Sequence, residues 1–73
     1  MNPIIKQLAE EAGFSFWQNE SWGPGEGHID WSSIYDKEFE KYTELLIKEC
    51  AVVVFRKIGP KSALDVLNHF GIE

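Results

Sequence analysis

Cysteine, histidine and positive charge are scarce in this chain, and each shortage excludes a class of protein. One cysteine and two histidines stand among 73 residues, which excludes an internal disulfide framework and a zinc site built on paired thiolates. Lysine and arginine number 7 against 12 aspartates and glutamates, so the net charge is −5. Because duplex nucleic acid binds to strongly positive surfaces, we expect no duplex nucleic acid as a partner.

Long apolar runs are missing as well. The longest, residues 51–55, is far shorter than the roughly 20 residues that cross a bilayer, and Met1-Asn2-Pro3 does not begin a signal peptide. We therefore expect a cytoplasmic protein with no membrane partner. Hydrophobic residues make up 44% of the chain and aromatic residues 14%, a composition typical of one small folded domain over residues 1–73.

The spacing of apolar residues predicts a mainly α fold with a short helix, a long central helix and a short C-terminal helix. The expected bounds are residues 2–13, 35–58 and 60–70. Asn2 and Pro3 suit the start of the first helix, and Gly13 suits a left-handed C-cap. Gly59-Pro60 ends the long helix. We expect buried faces on the first and last helices, formed by Ile4, Ile5, Leu8 and Ala12, and by Leu64, Leu67 and Phe70.

Residues 14–34 break the helical period. Three glycines and a proline fall within residues 23–27, a composition that indicates a turn or a flexible loop. The flanking residues alternate over short stretches, so the segment is either an aromatic, glycine-rich loop or a β-hairpin with its tip at residues 23–27. A two-stranded hairpin is marginal alone and needs a helix or another subunit to pack on.

The long helix predicts self-association. About 22 residues span ~33 Å, whereas a globule of this chain length is only ~29 Å across. Its C-terminal half is apolar on several sides, so we expect a helical homo-oligomer in which the long helices pack together. The alternative is a monomer whose aromatic segment covers that face. The candidate interface residues are Phe39, Leu46, Cys50, Val53 and Val54.

No set of residues in the sequence points to catalysis, a cofactor or a metal. Cys50 lies on the apolar stripe of the long helix, so we expect a buried structural cysteine rather than a nucleophile. His28 and His69 have no second histidine or cysteine at ligand spacing. His28 with Glu26 and Asp30 is the one conceivable metal set, and a hydrated loop histidine explains it better. We expect a non-enzyme with no cofactor.

Two groups of residues are candidates for binding. The first is Trp17, Trp22 and Trp31 with His28, all in the non-helical segment, since exposed tryptophans anchor binding surfaces and stack on planar ligands. The alternative is that all three tryptophans pack on the helices. The second group surrounds the Gly59-Pro60 turn and suits a phosphate or an acidic surface. It consists of Arg56, Lys57 and Lys61, which otherwise serve only as solvated helix-end charges.

Three stretches resemble a group of small, uncharacterised proteins of tailed bacteriophages. They are NPIIKQLAEEAGF (2–14), FEKYTELLIKECA (39–51) and LNHFGIE (67–73). Those proteins have an opening helix that ends in Ala-Gly, a central helix that reads approximately Lys-Phe-Ala-Glu-Leu-Ile-x-x-Glu-Cys and a His-Phe-Gly ending. Tyr42 and Thr43 depart from the pattern, residues 14–34 have no counterpart in it, and no catalytic residue is carried over.

The resemblance implies a phage accessory protein in the cytoplasm of an infected bacterium, acting by binding in counter-defence or host takeover. Our leading hypothesis is that a homo-oligomer sequesters a nucleotide-derived host immune signal, with the tryptophans stacked on the base and the basic residues at the phosphate. The alternative is a protein–protein inhibitor that presents its acidic, tryptophan-rich loop to a host defence or housekeeping protein. A purely structural oligomer is a third possibility.

Overall fold

Three helices make up most of the chain in the computed structural model, which describes residues 1–72. They are α1 (Pro3–Ala12), α2 (Asp36–Lys57) and α3 (Pro60–His69). In that part of the chain, the only β-pairing is a single antiparallel bridge, between Phe16 and Ile29. The mainly α fold is therefore confirmed, and each predicted helix boundary lies within one residue of the observed one. The chain divides into two compact units, Met1–Tyr42 and a second that begins at Thr43.

The first helix has the caps that its sequence predicts. The Asn2 side-chain oxygen accepts hydrogen bonds from the N–H groups of Ile4 (2.8 Å) and Ile5 (3.3 Å). Gly13 has φ +108°, a conformation that strains residues with a side chain. Beyond it, the Phe14 N–H donates to the Ala9 carbonyl at 3.0 Å. These bonds satisfy backbone groups that a helix end leaves unpaired, and they turn Phe14 back onto α1.

Phe14 is the only large aromatic side chain among residues 1–72 that is buried, with 7% of its surface exposed. Its ring centroid lies 4.6 Å from that of Tyr35, 5.8 Å from that of Trp31 and 6.0 Å from that of Tyr42. Three residues of α1 are also buried in this unit: Leu8, Ala9 and Ala12. The first unit therefore has one aromatic cluster as its core.

Ile4 does not belong to the buried face of α1, contrary to the prediction. It is 57% exposed, whereas Ala9 is 2% exposed. The Phe14 N–H donates to the Ala9 carbonyl, so Phe14 turns back over the last turns of α1. Ile4 lies in the first turn, at the opposite end of the helix.

Charged residues at both ends of α2 match the helix dipole. Asp36 and Glu38 lie in its first turn, and Arg56 and Lys57 in its last, where each sign of charge is favourable.

Gly59 has φ +143° and directs the chain into α3, which has Pro60 in its first turn. The last helix ends in a similar way to α1, since Gly71 has φ +70° and the Ile72 N–H donates to the Leu67 carbonyl at 2.9 Å.

The buried residues of the second unit are alanines, and two predictions about its packing were wrong. Ala51 is 5% exposed and Ala63 is 7% exposed, whereas Leu64 and Phe70 of the predicted inner face are 56% and 58% exposed. Cys50, predicted to be buried, is exposed. Small side chains allow two helices to approach closely, so the alanines mark the contact face. Cys50 precedes Ala51 by one residue, and Leu64 follows Ala63 by one residue. One residue corresponds to about 100° around a helix, so neither side chain lies on the same face as its neighbouring alanine.

In the part of the chain that the structure describes, none of the three helices combines the length and the apolar composition that crossing a membrane requires.

Replacing Phe14 with alanine should unfold the first unit. Burial of an aromatic side chain in a core is worth about 3–5 kcal/mol against alanine, which is comparable to the whole stability of so small a protein. Urea titration is followed by tryptophan fluorescence, which reports on this unit because all three tryptophans lie in it, and by circular dichroism, which reports on the helices of both units. The matched control is Phe55→Ala, at a side chain that is 56% exposed, and it should shift stability by less than about 1 kcal/mol. Equal effects of the two substitutions would contradict this description of the core.

Candidate functional site

The aromatic segment is held together by the pairing around the Phe16–Ile29 bridge. The Trp17 N–H donates to the His28 carbonyl at 2.9 Å, and the Asp30 N–H donates to the Ser15 carbonyl at 2.9 Å. Between the paired residues the chain forms irregular turns, and Gly25 has a left-handed φ of +100°. Of the two predicted forms, the β-hairpin is not observed, because the pairing in this segment is a single bridge rather than two strands.

Tyr35 fixes this segment to the start of α2. Its hydroxyl donates to the Asp30 carbonyl at 2.6 Å and accepts a hydrogen bond from the Ser15 N–H at 3.3 Å. Its ring lies against Phe14 at 4.6 Å and against Trp31 at 5.9 Å. A single side chain thus connects both sides of the bridge with the aromatic core, so the position of Trp31 depends on Phe14 and Tyr35.

Asp30 carries a negative charge next to Trp31. The Ser32 hydroxyl donates to one carboxylate oxygen of Asp30 at 2.6 Å, and the Ser32 N–H donates to the same oxygen at 3.0 Å. These two bonds, the side-chain bond first, hold the pKa of the Asp30 carboxyl below its ordinary value, because both stabilise the ionised form. The group is therefore fully ionised at neutral pH.

Three of the predicted binding residues line one concave surface, which we call the tryptophan groove. It has a volume of about 470 Å³. The residues that line it all belong to the first unit: Trp17, Pro24, His28, Ile29, Asp30, Trp31 and Ser32. Among these described residues there is one carboxylate and neither a lysine nor an arginine. The groove therefore has apolar and aromatic walls and one fixed negative charge.

The three tryptophans differ in exposure. Trp22 is 80% exposed and Trp31 is 69% exposed, so neither fills the core of the unit. Trp17 is partly buried and packs on Gly23, where an added Cβ would lie 2.8 Å from Cε3 of the indole. Trp22 does not belong to the residues that line the groove. The segment thus presents one indole outside the groove and two within it.

The other predicted residues lie on the helices and the turn after α2. Arg56, Lys57 and Lys61 are exposed and belong to the second unit, so the tryptophan groove does not contain them. Among the candidate interface residues, Phe39 is 63% and Val53 is 50% exposed. Cys50 is exposed, and Leu46 and Val54 are partly buried.

Sequence reasoning missed part of the groove. Pro24, Ile29 and Ser32 were not singled out, and Asp30 was considered only as a metal ligand. The signal for the Asp30–Ser32 bonds is the Asp-x-Ser spacing, which is typical of a turn in which the aspartate binds the backbone two residues later.

No group of three histidine, cysteine, aspartate or glutamate side chains within residues 1–72 is placed to hold a metal ion.

Comparisons of the chain with families of proteins, with curated proteins and with solved structures find no match.

Replacing Gly23 with alanine should displace Trp17 from its packing position. The new methyl group would lie 2.8 Å from Cε3 and 3.1 Å from Cζ3 of the indole, closer than carbon atoms pack. In a Trp22→Phe, Trp31→Phe background, the fluorescence of Trp17 should move to longer wavelength and become more sensitive to iodide quenching.

The control for this prediction is Gly27→Ala, where an added Cβ meets nothing within 4 Å but φ is +85°. That substitution should cost about 1–2 kcal/mol of stability through backbone strain and leave the Trp17 emission unchanged. Unchanged emission in Gly23→Ala would contradict the packing of Trp17 on Gly23.

Proposed function

We propose that this protein acts by binding, and that the tryptophan groove receives a positively charged segment of another protein. The observation that carries the proposal is the composition of the groove: two indoles, a proline, an isoleucine, a histidine, a serine and, as its one carboxylate, Asp30. An arginine or lysine side chain suits such a surface, because its cation is attracted both to a carboxylate and to the face of an indole. A cation–π contact contributes about 0.5–2 kcal/mol.

The charge of the first unit supports a basic partner. Residues 1–42 contain 3 lysines against 8 aspartates and glutamates, which gives −5, the net charge of the whole chain. An acidic surface accelerates encounter with a basic partner and disfavours an acidic one. Trp22, which is 80% exposed outside the groove, offers a further apolar anchor of the kind that dominates protein interfaces.

Capture of a nucleotide-derived signal is the second candidate function. The exposed indoles of Trp22 and Trp31 favour it, since each has a face on which a base can stack. Against it stands the charge of the groove, because a phosphate near Trp31 would meet the Asp30 carboxylate and no lysine or arginine among the described lining residues. The basic residues assigned to the phosphate, Arg56, Lys57 and Lys61, belong to the other unit.

Self-association through α2 is part of the same proposal. Leu46, Cys50 and Val53 are spaced by four and three residues, which places them on one face of the helix. Val53 is 50% exposed and Cys50 is exposed, so this face has apolar surface that a second copy of the helix would cover. The groove and this face involve different units, and either can act without the other.

The resemblance to small phage proteins supports a setting for these activities. In an infected bacterium, a non-enzymatic protein of this kind would act by occupying a basic segment of a host defence or housekeeping protein. We propose counter-defence or host takeover as the biological role.

The groove should bind an arginine side chain in preference to a nucleotide. We suggest titrating protein labelled with ¹⁵N in its tryptophans with N-acetyl-arginine methylamide, uncharged N-acetyl-norleucine methylamide, adenosine monophosphate and a cyclic dinucleotide. The arginine derivative should shift the indole N–H signals of Trp17 and Trp31 and leave that of Trp22 in place. Asp30→Asn should weaken this binding about two- to fivefold, whereas Asp36→Asn, outside the groove, should not.

Two results would overturn this proposal. Equal shifts with the arginine and norleucine derivatives would show that the carboxylate has no role. Saturable binding of either nucleotide, with shifts at Trp22 or Trp31 that exceed those caused by arginine, would favour capture of a nucleotide instead.

A further inference from the structure

The second unit contains an apolar groove of about 570 Å³ that the proposed function does not use. We call it the α2–α3 groove. Ala51 and Ala63 are its buried members. The exposed and partly buried residues around them are Val52 and Phe55 of α2, with Pro60, Leu64 and Leu67 of α3. Lys48 and Arg56 are the only charged residues among the described residues that line it.

The groove exposes large apolar side chains to solvent. Val52 is 42% exposed, and Phe55 and Leu64 are each 56% exposed. Side chains of this kind, side by side on two helices, bury apolar surface when a third helix lies between them. An amphipathic helix fits such a groove through residues spaced at i, i+3 or i+4, and i+7.

The two charged residues define the chemistry of the occupant. Lys48 and Arg56 lie four residues before and four residues after Val52 on one row of α2, about 12 Å apart along the helix axis. Neither residue makes an ion pair within residues 1–72. The salt bridge in that part of the chain joins Lys6 and Glu10 at 3.8 Å. Even Glu44, one turn before Lys48, is not within ion-pair distance. Both cations are therefore available to carboxylates of a partner about two helical turns apart.

A second copy of this groove is a poor occupant. If two copies paired antiparallel and symmetrically about Val52, Lys48 of one copy would face Arg56 of the other. Such a pairing would bring like charges together twice, at a cost in free energy. Charge complementarity therefore favours a helix with acidic flanks over the same face of a second copy.

From these observations we infer that the α2–α3 groove is a docking site for an amphipathic helix with acidic residues beside its apolar face, supplied by a different protein. The inference is independent of the tryptophan groove, because all of its residues lie in the second unit. It also gives Arg56 a role that differs from phosphate binding.

Two matched peptides test this inference on the full chain carrying Asp30→Asn, which removes the carboxylate that the tryptophan groove would offer to a lysine. Both are fluorescein-labelled, helix-forming 18-mers with leucines on one face, and they differ only in having glutamates or lysines beside the leucines. Fluorescence anisotropy at low salt should give the glutamate peptide a Kd about tenfold lower than that of the lysine peptide, and 0.5 M NaCl should reduce this difference. The double variant Lys48→Glu, Arg56→Glu should reverse the preference, and because both residues are exposed it should keep its helical circular dichroism.

A second pair of variants locates the site. Leu64→Glu should weaken binding of the glutamate peptide by at least about tenfold, whereas Ile58→Glu should leave it unchanged, since Ile58 is 73% exposed and does not line the groove. Equal affinity for the two peptides, absence of saturable binding, or equal effects of the two variants would overturn the inference. So would an oligomer of the protein that Leu64→Glu dissociates, because a second copy would then occupy the groove.

Discussion

The packing of Phe14 against α1 is the interaction on which the first unit depends. Gly13 turns the chain in the left-handed region, and the Phe14 N–H donates to the Ala9 carbonyl, so Phe14 turns back onto α1 and is buried. Tyr35 and Trp31 then pack on that ring. The tyrosine hydroxyl, by its bond to the Asp30 carbonyl, sets the position of the groove. The binding surface is therefore an extension of the core rather than an independent loop.

A small core explains why so much apolar surface is exposed. The buried hydrophobic residues among those described are four alanines, Leu8 and Phe14, whereas twelve large hydrophobic side chains are exposed. Alanine buries little area and loses no side-chain entropy, so helices can pack closely without covering their larger neighbours. Exposed patches of this kind mark binding surfaces. The two docking sites and the self-association surface proposed above all contain such exposed apolar side chains.

Local signals in the sequence were sufficient for the helices and their ends. Asn2, Gly13 and Gly59-Pro60 act through bonds and φ values of neighbouring residues, so a single sequence contains what is needed to predict them. Each of these predictions concerns interactions that span a few residues, and each agrees with the structure.

Predictions about burial failed where they depended on contacts distant in sequence. The C-terminal half of α2 is apolar on several sides, so periodicity could not indicate that Ala51 rather than Cys50 lies at the contact face. For the same reason Leu64 was placed inside and Ala63 was overlooked. The tryptophan groove depends on the hydrogen bond from the Ser15 N–H to the Tyr35 hydroxyl, which joins residues twenty positions apart. No local pattern in the sequence predicts that bond. The tryptophans were identified as candidates because there are three of them in the non-helical segment. How far each side chain is exposed could be learned only from the structure.

The helix α2 has apolar residues on opposite sides in the second unit. Leu46, Cys50 and Val53 lie on one side, and Ala51 and Phe55 lie on the side toward α3, about 100–180° away around the helix. Intramolecular packing covers only part of the second side. We propose that the first side is covered by the same side of a second chain, an association that does not involve the α2–α3 groove.

Sedimentation equilibrium at tens of micromolar protein tests this association most directly. If the helices associate, the particle will have at least twice the 8.4 kDa of one chain. Val53→Glu will then reduce it to a single chain, while Ile58→Glu, also at an exposed apolar residue, will not. A particle of 8.4 kDa that retains the circular dichroism of a folded helical protein would contradict self-association through α2.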